Sequence, residues 1–142
     1  MAHKASFSVD FEKSDMTIFD GVYHFWSITR GVGWGYDNNW YDVLLIQFLL
    51  NSIRKANLAV DGIFGKKTQE AIRSFQVNSR GVLVVDGKVN AVDGSTGWIE
   101  DSSFVYTIYA LNAQYLKKKP IYYEDLTMDP KLPIDLCQVF GS

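Results

Sequence analysis

Apolar residues along the chain predict a helical centre between two less regular ends. The first helix should begin near Asn39, and one face of it is defined by apolar residues at helical spacing, namely Val43, Ile46, Leu50 and Ile53. Asn39 can accept hydrogen bonds from free amides at the start, and Asp42 places negative charge where the helix dipole favours it. Further apolar residues widen the arc: Leu45, Phe48 and Leu49. We therefore expect this helix to be covered on two sides, by the rest of the bundle and by the N-terminal arm.

Two more helices follow from the same periodicity. Residues 68–78 should form the second, with an inward face made of Ala71, Ile72 and Phe75. Residues 103–118 should form the third, with Phe104, Ile108, Leu111 and Tyr115 on one face. Residues 57–65 between the first two helices are a glycine-containing loop, and residues 82–85 are expected to be a short extended piece.

The two ends of the chain are predicted to be arms on this helical core. Residues 7–11 alternate with period two, and residues 22–28 are rich in aromatic and β-branched types after an Asp20-Gly21 turn signal. Residues 31–39 are a loop by composition. Beyond Pro120 the chain contains Pro130 and Pro133, which favours an irregular arm. The predicted organisation is one domain, 1–142, with a β/loop arm at 1–38, a three-helix core at 39–118 and a C-terminal arm at 119–142.

A motif with fixed order and spacing runs through the core. It consists of Ile46-Gln47, Leu50-Asn51, Val60-Asp61-Gly62-Ile63-Phe64-Gly65, Thr68, Ala71-Ile72, Phe75-Gln76 and Asp86-Gly87. This pattern resembles the peptidoglycan-binding domain found beside the catalytic parts of many bacterial and phage cell-wall hydrolases, over roughly residues 42–89. The resemblance implies a mainly α fold: a three-helix peptidoglycan-binding-domain-like bundle with extended N- and C-terminal arms, with or without a short β-hairpin.

Physical chemistry gives most of the motif a structural role. Asp61 can accept hydrogen bonds within its own turn, and glycines at 62 and 65 permit conformations closed to other residues. Phe64 is expected to plug the bundle, and the Thr68 hydroxyl to cap a free amide at the start of the second helix. Gln47 and Gln76 are placed to hydrogen-bond loop backbone. The motif therefore identifies the scaffold more directly than the binding surface.

The sequence departs from the family pattern after Asp86-Gly87. The third helix should follow this turn at once, but Val89-Asn90-Ala91 stands where the family has V-G-x-x-T, and an inserted stretch follows. The edge of any ligand groove there is altered. Enlarged domains of this kind, without an attached hydrolase, resemble accessory proteins of contractile secretion machines or phages.

Net charge and the length of the apolar runs argue against two classes of partner, nucleic acids and the membrane interior. The net charge of −2 argues against a nucleic-acid partner, and the Lys117-Lys118-Lys119 run is interpreted as a solvated helix end. The longest near-apolar run, residues 43–50, is far too short for membrane insertion. The N-terminus lacks the apolar stretch of a signal peptide, so we expect a chain that is cytoplasmic as synthesised and reaches the periplasm or cell wall, if at all, by a non-classical route.

Catalytic chemistry finds little support in the residue pattern. His3 lies in a terminal segment expected to be loose, and His24 is interpreted as a packing residue in an aromatic strand. Neither histidine belongs to a metal-binding motif, and the single cysteine, Cys137, has no nucleophile signature. A convergent pair among the sixteen acidic residues stays open as a hydrolase alternative. The prediction is a protein that is not an enzyme, with no cofactor, no catalytic residue and no metal site.

Ligand contacts are predicted from residue type and position. Trp34 and Trp40 flank the loop before the first helix and form a candidate aromatic platform, the alternative being that they close the N-terminal arm onto the bundle. The remaining candidates are Asp61, Phe64 and Thr68 from the motif, and Asn78, Arg80 and Asn112 as polar contacts to a stem-peptide carboxylate.

Three functions are left in order of preference. The first is non-catalytic binding of peptidoglycan, glycan or stem peptide, as an anchor or targeting subunit. The second is an interaction protein that reuses this fold to bind a secretion-system or phage component, favoured by the two arms and the wide apolar arc of the first helix. The third is a hydrolase.

Overall fold

The computed structural model describes residues 1–7, 24–92 and 106–141, which form a mainly helical structure with one short antiparallel strand pair. The elements in chain order are strands β1 (His3–Ser6) and β2 (His24–Ser27), helices α1 (Trp40–Arg54), α2 (Lys66–Asn78), α3 (Thr107–Lys118) and α4 (Pro120–Glu124), a 3-10 helix Leu126–Met128, and α5 (Ile134–Phe140). The predicted fold class, a helical bundle with a short hairpin, is confirmed.

Helix α1 is the central element. It begins where predicted, because the Asn39 side chain accepts a hydrogen bond from the amide of Tyr41 at 3.2 Å. Every residue from 42 to 50 is buried. Asp42 does more than complement the helix dipole, since its carboxylate accepts hydrogen bonds from the amides of Thr29 and Arg30 and so ties the preceding loop to the helix.

The cover of α1 differs from the prediction in one respect. Helices α2 and α3 pack against it, as a three-helix core requires, but α5 from the C-terminal region packs on it as well. The expectation that the N-terminal arm supplies the second cover is therefore incomplete. The wide apolar arc of α1 is a consequence of this double burial within the chain.

The second and third helices confirm the predicted inward faces. Ile72 and Phe75 of α2 and Ile108, Leu111 and Tyr115 of α3 are fully buried. Ala71 is partly buried and packs against the same core. Helix α2 begins at Lys66, two residues earlier than predicted, with Gly65 at the N-cap position. Helix α3 begins at Thr107; the predicted start at 103, with Phe104, lies outside the described residues.

The N-terminal arm forms a different strand pair from the one predicted. Strand β2 falls within the predicted residues 22–28 and pairs with β1, with His3 opposite Ser27 and Ser6 opposite His24. The predicted strand at 7–11 lies mostly outside the described residues, as does the turn at Asp20-Gly21. His3, which we expected in a loose terminal segment, belongs to β1. Residues 82–85 form no strand; the segment after them is tied by an antiparallel bridge between Val89 and Val32.

The prediction of an irregular C-terminal arm is wrong. Pro120 is the first residue of α4, and Pro133 is the N-cap of α5. Proline is well suited to a helix start, where its missing N–H would have no partner anyway and its φ is already helical. The prolines therefore begin helices here, and Leu126, Leu132 and Leu136 bury their side chains in the common core.

A buried carboxylate ties this C-terminal region to α3. The Asp129 side chain accepts hydrogen bonds from the Tyr115 hydroxyl at 2.7 Å and the Lys119 ammonium at 3.2 Å. Burial acts to raise the pKa of Asp129, but hydrogen bonds from Tyr115, the Lys131 amide and Lys119 outweigh it and hold that pKa below its usual value. Burial and the same carboxylate raise the pKa of Tyr115. Lys119 is thus part of a partly buried ion pair, which corrects its interpretation as a solvated helix end.

Candidate ligand-binding site

The side chain of Gln47 holds the Asp61-Gly62 turn onto α1. Its Oε1 accepts hydrogen bonds from the amides of Asp61 and Gly62, at 3.1 and 2.9 Å. Its Nε2 donates to Asp61 Oδ1, to the Ile63 carbonyl and to the Thr68 hydroxyl, at 3.1 to 3.2 Å. The prediction that Gln47 binds loop backbone is confirmed. The expected capping role of Thr68 is wrong, because α2 has no side-chain cap and this hydroxyl accepts from Gln47 instead.

The side chain of Gln76 repeats this arrangement one helix later. Its Oε1 accepts from the amides of Asp86 and Gly87 at 3.1 and 2.9 Å. Its Nε2 donates to Asp86 Oδ1, the Lys88 carbonyl and the Thr107 hydroxyl at 3.0 to 3.1 Å. We call these two networks the Gln47 clamp and the Gln76 clamp. They form an internal structural repeat, and they confirm the prediction that Gln76, like Gln47, hydrogen-bonds loop backbone.

The Gln76 clamp explains how the fold accommodates the inserted stretch. In the Gln47 clamp the threonine follows the turn glycine by six positions, at 62 and 68; in the Gln76 clamp it follows by twenty, at 87 and 107. Thr107 nevertheless makes the same hydrogen bond to its glutamine as Thr68 does. The threonine missing from its expected place is therefore supplied from beyond the insertion, and the start of α3 is fixed by it.

Trp40 lies against the Asp61-Gly62 turn. Its indole N–H donates to the Asp61 carbonyl at 2.8 Å. Gly62 has a φ of +74°, and a β-carbon there would lie 2.1 Å from the indole ring, so the close approach of ring and backbone requires glycine. The Trp40 side chain remains 41% exposed. The indole therefore ties the start of α1 to the turn between α1 and α2, a contact that neither predicted role described, and it remains a surface aromatic.

The loop before α1 presents the second tryptophan. Asn38 fixes this loop, since its Oδ1 accepts from the Gly33 amide and its Nδ2 donates to the Gly33 carbonyl, at 2.8 and 2.9 Å. The bridge between Val32 and Val89 ties the same loop to the segment after the Gln76 clamp. Trp34 near the loop tip is 74% exposed. An indole that is this accessible on a fixed loop is suited to ligand contact.

Next to this loop lies an open cleft of about 590 Å³, which we call the aromatic cleft. One wall carries Tyr36 and Asp37, and the other carries Asn90 and Tyr106. The Tyr36 hydroxyl donates to Asn90 Oδ1 at 2.7 Å, and the Lys88 ammonium lies over the Tyr36 ring at 5.1 Å. The cleft thus combines aromatic faces with a few directed polar groups, the composition typical of small-ligand sites.

Tyr36, Asn90 and Tyr106 were missed in the sequence. Tyr36 lies in the loop that Trp34 and Trp40 flank, and its aromatic side chain could have marked it as a further candidate for ligand contact. Asn90 and Tyr106 are sixteen positions apart and flank residues outside the described part of the chain, so no local pattern joins them. Their common wall exists because the Gln76 clamp fixes both the segment after Gly87 and the start of α3.

Asn112 is a correction to the predicted ligand contacts. It is fully buried. Its Oδ1 accepts from the Trp26 amide and the Tyr123 hydroxyl, and its Nδ2 donates to the carbonyls of Trp26 and Ile108. A side chain with all these partners inside the protein joins β2, α3 and α4 and does not reach a ligand at the surface.

The other predicted residues are dispersed. Thr68 is buried in the Gln47 clamp, and Phe64 is half-buried against the core, in keeping with a plug. Asn78 and Arg80 are exposed at the end of α2, with Asn78 Nδ2 donating to the Ser74 carbonyl at 2.8 Å. The structure therefore does not gather the predicted set into one site.

Titratable groups in the described residues do not assemble into a metal-binding set of three or more histidine, cysteine, aspartate or glutamate side chains. His24 stacks on Tyr123 with ring centroids 5.1 Å apart, consistent with a packing role. The Cys137 thiol donates to the Leu132 carbonyl at 3.8 Å. Within the same residues, each helix is too short or too polar to cross a bilayer.

Comparison with known proteins confirms the family resemblance. Residues 41–92, which are 52 of the 142 residues, match the family described as a putative peptidoglycan binding domain. The matched segment contains both glutamines of the clamps and both Asp-Gly turns. No curated protein and no solved structure matches the chain.

Proposed function

From the match of residues 41–92 we propose that this chain binds bacterial peptidoglycan, without cutting it, and serves as an anchor or targeting subunit. The observation that carries the proposal is the aromatic cleft. Its two walls are fixed to the matched segment, one through the Val32–Val89 bridge and one through the Gln76 clamp. Sugar rings and short peptides are commonly held by such aromatic faces with a few polar groups beside them.

Sedimentation with purified sacculi tests this proposal. The wild-type chain should pellet with sacculi, and Tyr36→Ala and Trp34→Ala should each shift at least half of the bound protein to the supernatant. Ile121→Ala is the matched control, because it also removes an exposed apolar side chain but lies on α4. Thermal unfolding of each variant separates loss of the site from loss of the fold. A wild-type protein that stays in the supernatant at low and moderate salt would refute wall binding.

The same sedimentation assay tests whether the protein cleaves peptidoglycan. We expect no soluble muropeptides in the supernatant after prolonged incubation with sacculi. If the wild-type chain releases muropeptides, and a variant with one carboxylate replaced does not, the protein is a hydrolase instead.

An interaction protein is the second candidate, supported by exposed apolar side chains at the end of α2 and in the segment that follows it. Val77 and Leu83 are each 67% exposed and Val84 is 55% exposed. Exposed apolar groups that cluster on a surface often mark contact with another protein. The apolar arc of α1, which first suggested a partner, is buried within the chain and no longer supports one. Replacing Leu83 and Val84 with serine should abolish binding to a secretion-system or phage component if this candidate is right, and leave binding to sacculi unchanged.

A further inference from the structure

A second groove lies at the opposite end of α1 from the aromatic cleft. Its volume is about 730 Å³, and its rim carries the four lysines Lys55, Lys118, Lys119 and Lys131. We call it the lysine groove. Helix α1 has fifteen residues, so its two ends are about 22 Å apart along its axis.

Positive charge dominates this groove although the whole chain has a net charge of −2. Asp129 neutralises Lys119 through the partly buried ion pair, which leaves three lysine charges uncompensated. Lys55 and Lys131 form no ion pair with any described residue, and none of the described residues that line the groove is acidic. Lys118 donates to the Ile53 carbonyl at 3.1 Å, which orients its ammonium beside the end of α1. Charges of one sign around a concave surface concentrate ligands of the opposite sign.

The groove also has an apolar floor. Leu58 and Val60 are half-buried there beside Phe48. The loop that carries Leu58 is held to α1 by Asn51, which both accepts from the Leu58 amide and donates to the Leu58 carbonyl at 2.9 Å. The floor is thus a fixed apolar surface beneath a ring of cations.

We propose that the lysine groove binds a peptide that carries several carboxylates between small apolar side chains. Lysine ammonium groups attract the carboxylates, and the floor takes the apolar side chains. A phosphodiester polymer offers no apolar group for the floor, and the described residues of the rim include no arginine for the bidentate geometry that phosphate favours. Identification of this peptide with the stem peptide of the cell wall rests on the proposed function; the anionic peptide chemistry does not.

Lys55 is a position where one positive charge of the rim can be removed without destabilising the protein. It ends α1 with a φ of +52°, and its amide donates to the Asn51 carbonyl at 3.1 Å. Glycine is the residue most often found at this position of a helix end. Lys55→Gly should therefore keep the helix end intact while it removes one rim charge.

Titration with soluble peptides tests the proposal. The probes are a stem peptide released from sacculi, a synthetic Ala-Glu-Ala-Glu-Ala peptide and a glycerol phosphate oligomer of equal charge, each followed by amide chemical shifts at two salt concentrations. Both peptides should bind the wild-type chain and weaken at higher salt. The double substitution Lys118→Gln with Lys131→Gln should weaken binding at least tenfold, and Lys55→Gly severalfold.

Lys66→Gln with Arg73→Gln is the control, because these exposed cations lie on α2 and neither of them lines the groove. Binding in this variant should stay within twofold of wild type. The proposal is overturned if the wild type binds neither peptide, if groove and control variants weaken equally, or if the phosphate oligomer binds more tightly than the peptides. Failure of wall binding is a separate result: sacculi would not sediment the protein, while the synthetic peptide would still report on the groove.

Discussion

Removal of the Gln47 amide should destabilise the protein severely. Gln47→Leu keeps a side chain of similar volume but deletes both amide atoms from a residue that is only 1% exposed. Five hydrogen bonds disappear, of which those to the Gly62 amide and the Thr68 hydroxyl are buried. The other three are partly open to water.

The expected loss of stability can be worked from that division. A buried polar group left without a partner costs roughly 1–3 kcal/mol, and a bond whose partners regain water costs about 0.5–1 kcal/mol. The sum is about 3.5–9 kcal/mol, a large part of the roughly 5–15 kcal/mol that holds a domain together. The melting temperature should therefore fall by roughly 10 °C or more. Gln76→Leu should cost nearly the same, because its five bonds match those of Gln47 atom for atom.

Urea unfolding followed by circular dichroism measures both variants. Gln138→Leu is the control, since this exposed glutamine on α5 should change the free energy of unfolding by less than about 0.5 kcal/mol. A loss below about 1.5 kcal/mol for Gln47→Leu would contradict the importance of the clamp. A Gln76→Leu variant as stable as wild type would contradict the structural repeat, and with it the role of Thr107 beyond the insertion.

Further predictions concern single residues, each read out by thermal or urea unfolding. Gly62→Ala should lower the free energy of unfolding by about 2–4 kcal/mol, because it combines a left-handed backbone with a clash against Trp40. Gly35 is the control: it has a φ of +83° and open space around it, so Gly35→Ala should lower the free energy of unfolding by only about 1–2 kcal/mol. Equal losses of stability in the two variants would refute the clash. Lys55→Gly should raise stability by about 1 kcal/mol by relieving its positive φ, and a less stable variant would contradict this. Asp129 has a lowered pKa in the folded protein, so its contribution to stability is present above about pH 4 and is lost as the pH falls through the folded value. Asp129→Asn should therefore be less stable at pH 7 and lose less stability on acidification than the wild type; parallel pH profiles would refute the assignment.

Local patterns along the sequence were sufficient to predict the helical core. The Asn39 cap and the buried faces of α1, α2 and α3 all follow from spacing within a single helix. The role of Gln47 was also predictable, because the Asp61-Gly62 turn begins only fourteen positions later and the motif fixes its spacing. In these cases the information needed lies within a short stretch of the sequence.

The errors arise where the outcome depends on distant contacts. Pro120 and Pro133 were interpreted as breakers because a proline alone does not reveal whether a helix follows it; burial of Leu126 and Leu136 in the common core decides that. Asn112 looked like a free polar group on α3, yet β2 and α4 supply its partners from 86 and 11 positions away. A polar residue that serves the core is indistinguishable by type from one that serves a ligand.

The aromatic cleft illustrates why the motif defines the scaffold and not the ligand. The side chains of Gln47 and Gln76 use their polar atoms to hold the two Asp-Gly turns onto the helices, so these atoms face inward and are not available to a ligand. The segment between Gly87 and Thr107 lies outside the clamp, so its sequence can change without breaking the clamp hydrogen bonds. Its first part contributes Asn90 to the cleft, and its last residue, Tyr106, lines the cleft as well. Because the Gln76 clamp is closed by Thr107 whatever lies between, the length and composition of the insertion can change the cleft wall without shifting α3. We therefore expect ligand preference in this fold to follow the segment after the second Asp-Gly turn, and stability to follow the two glutamines.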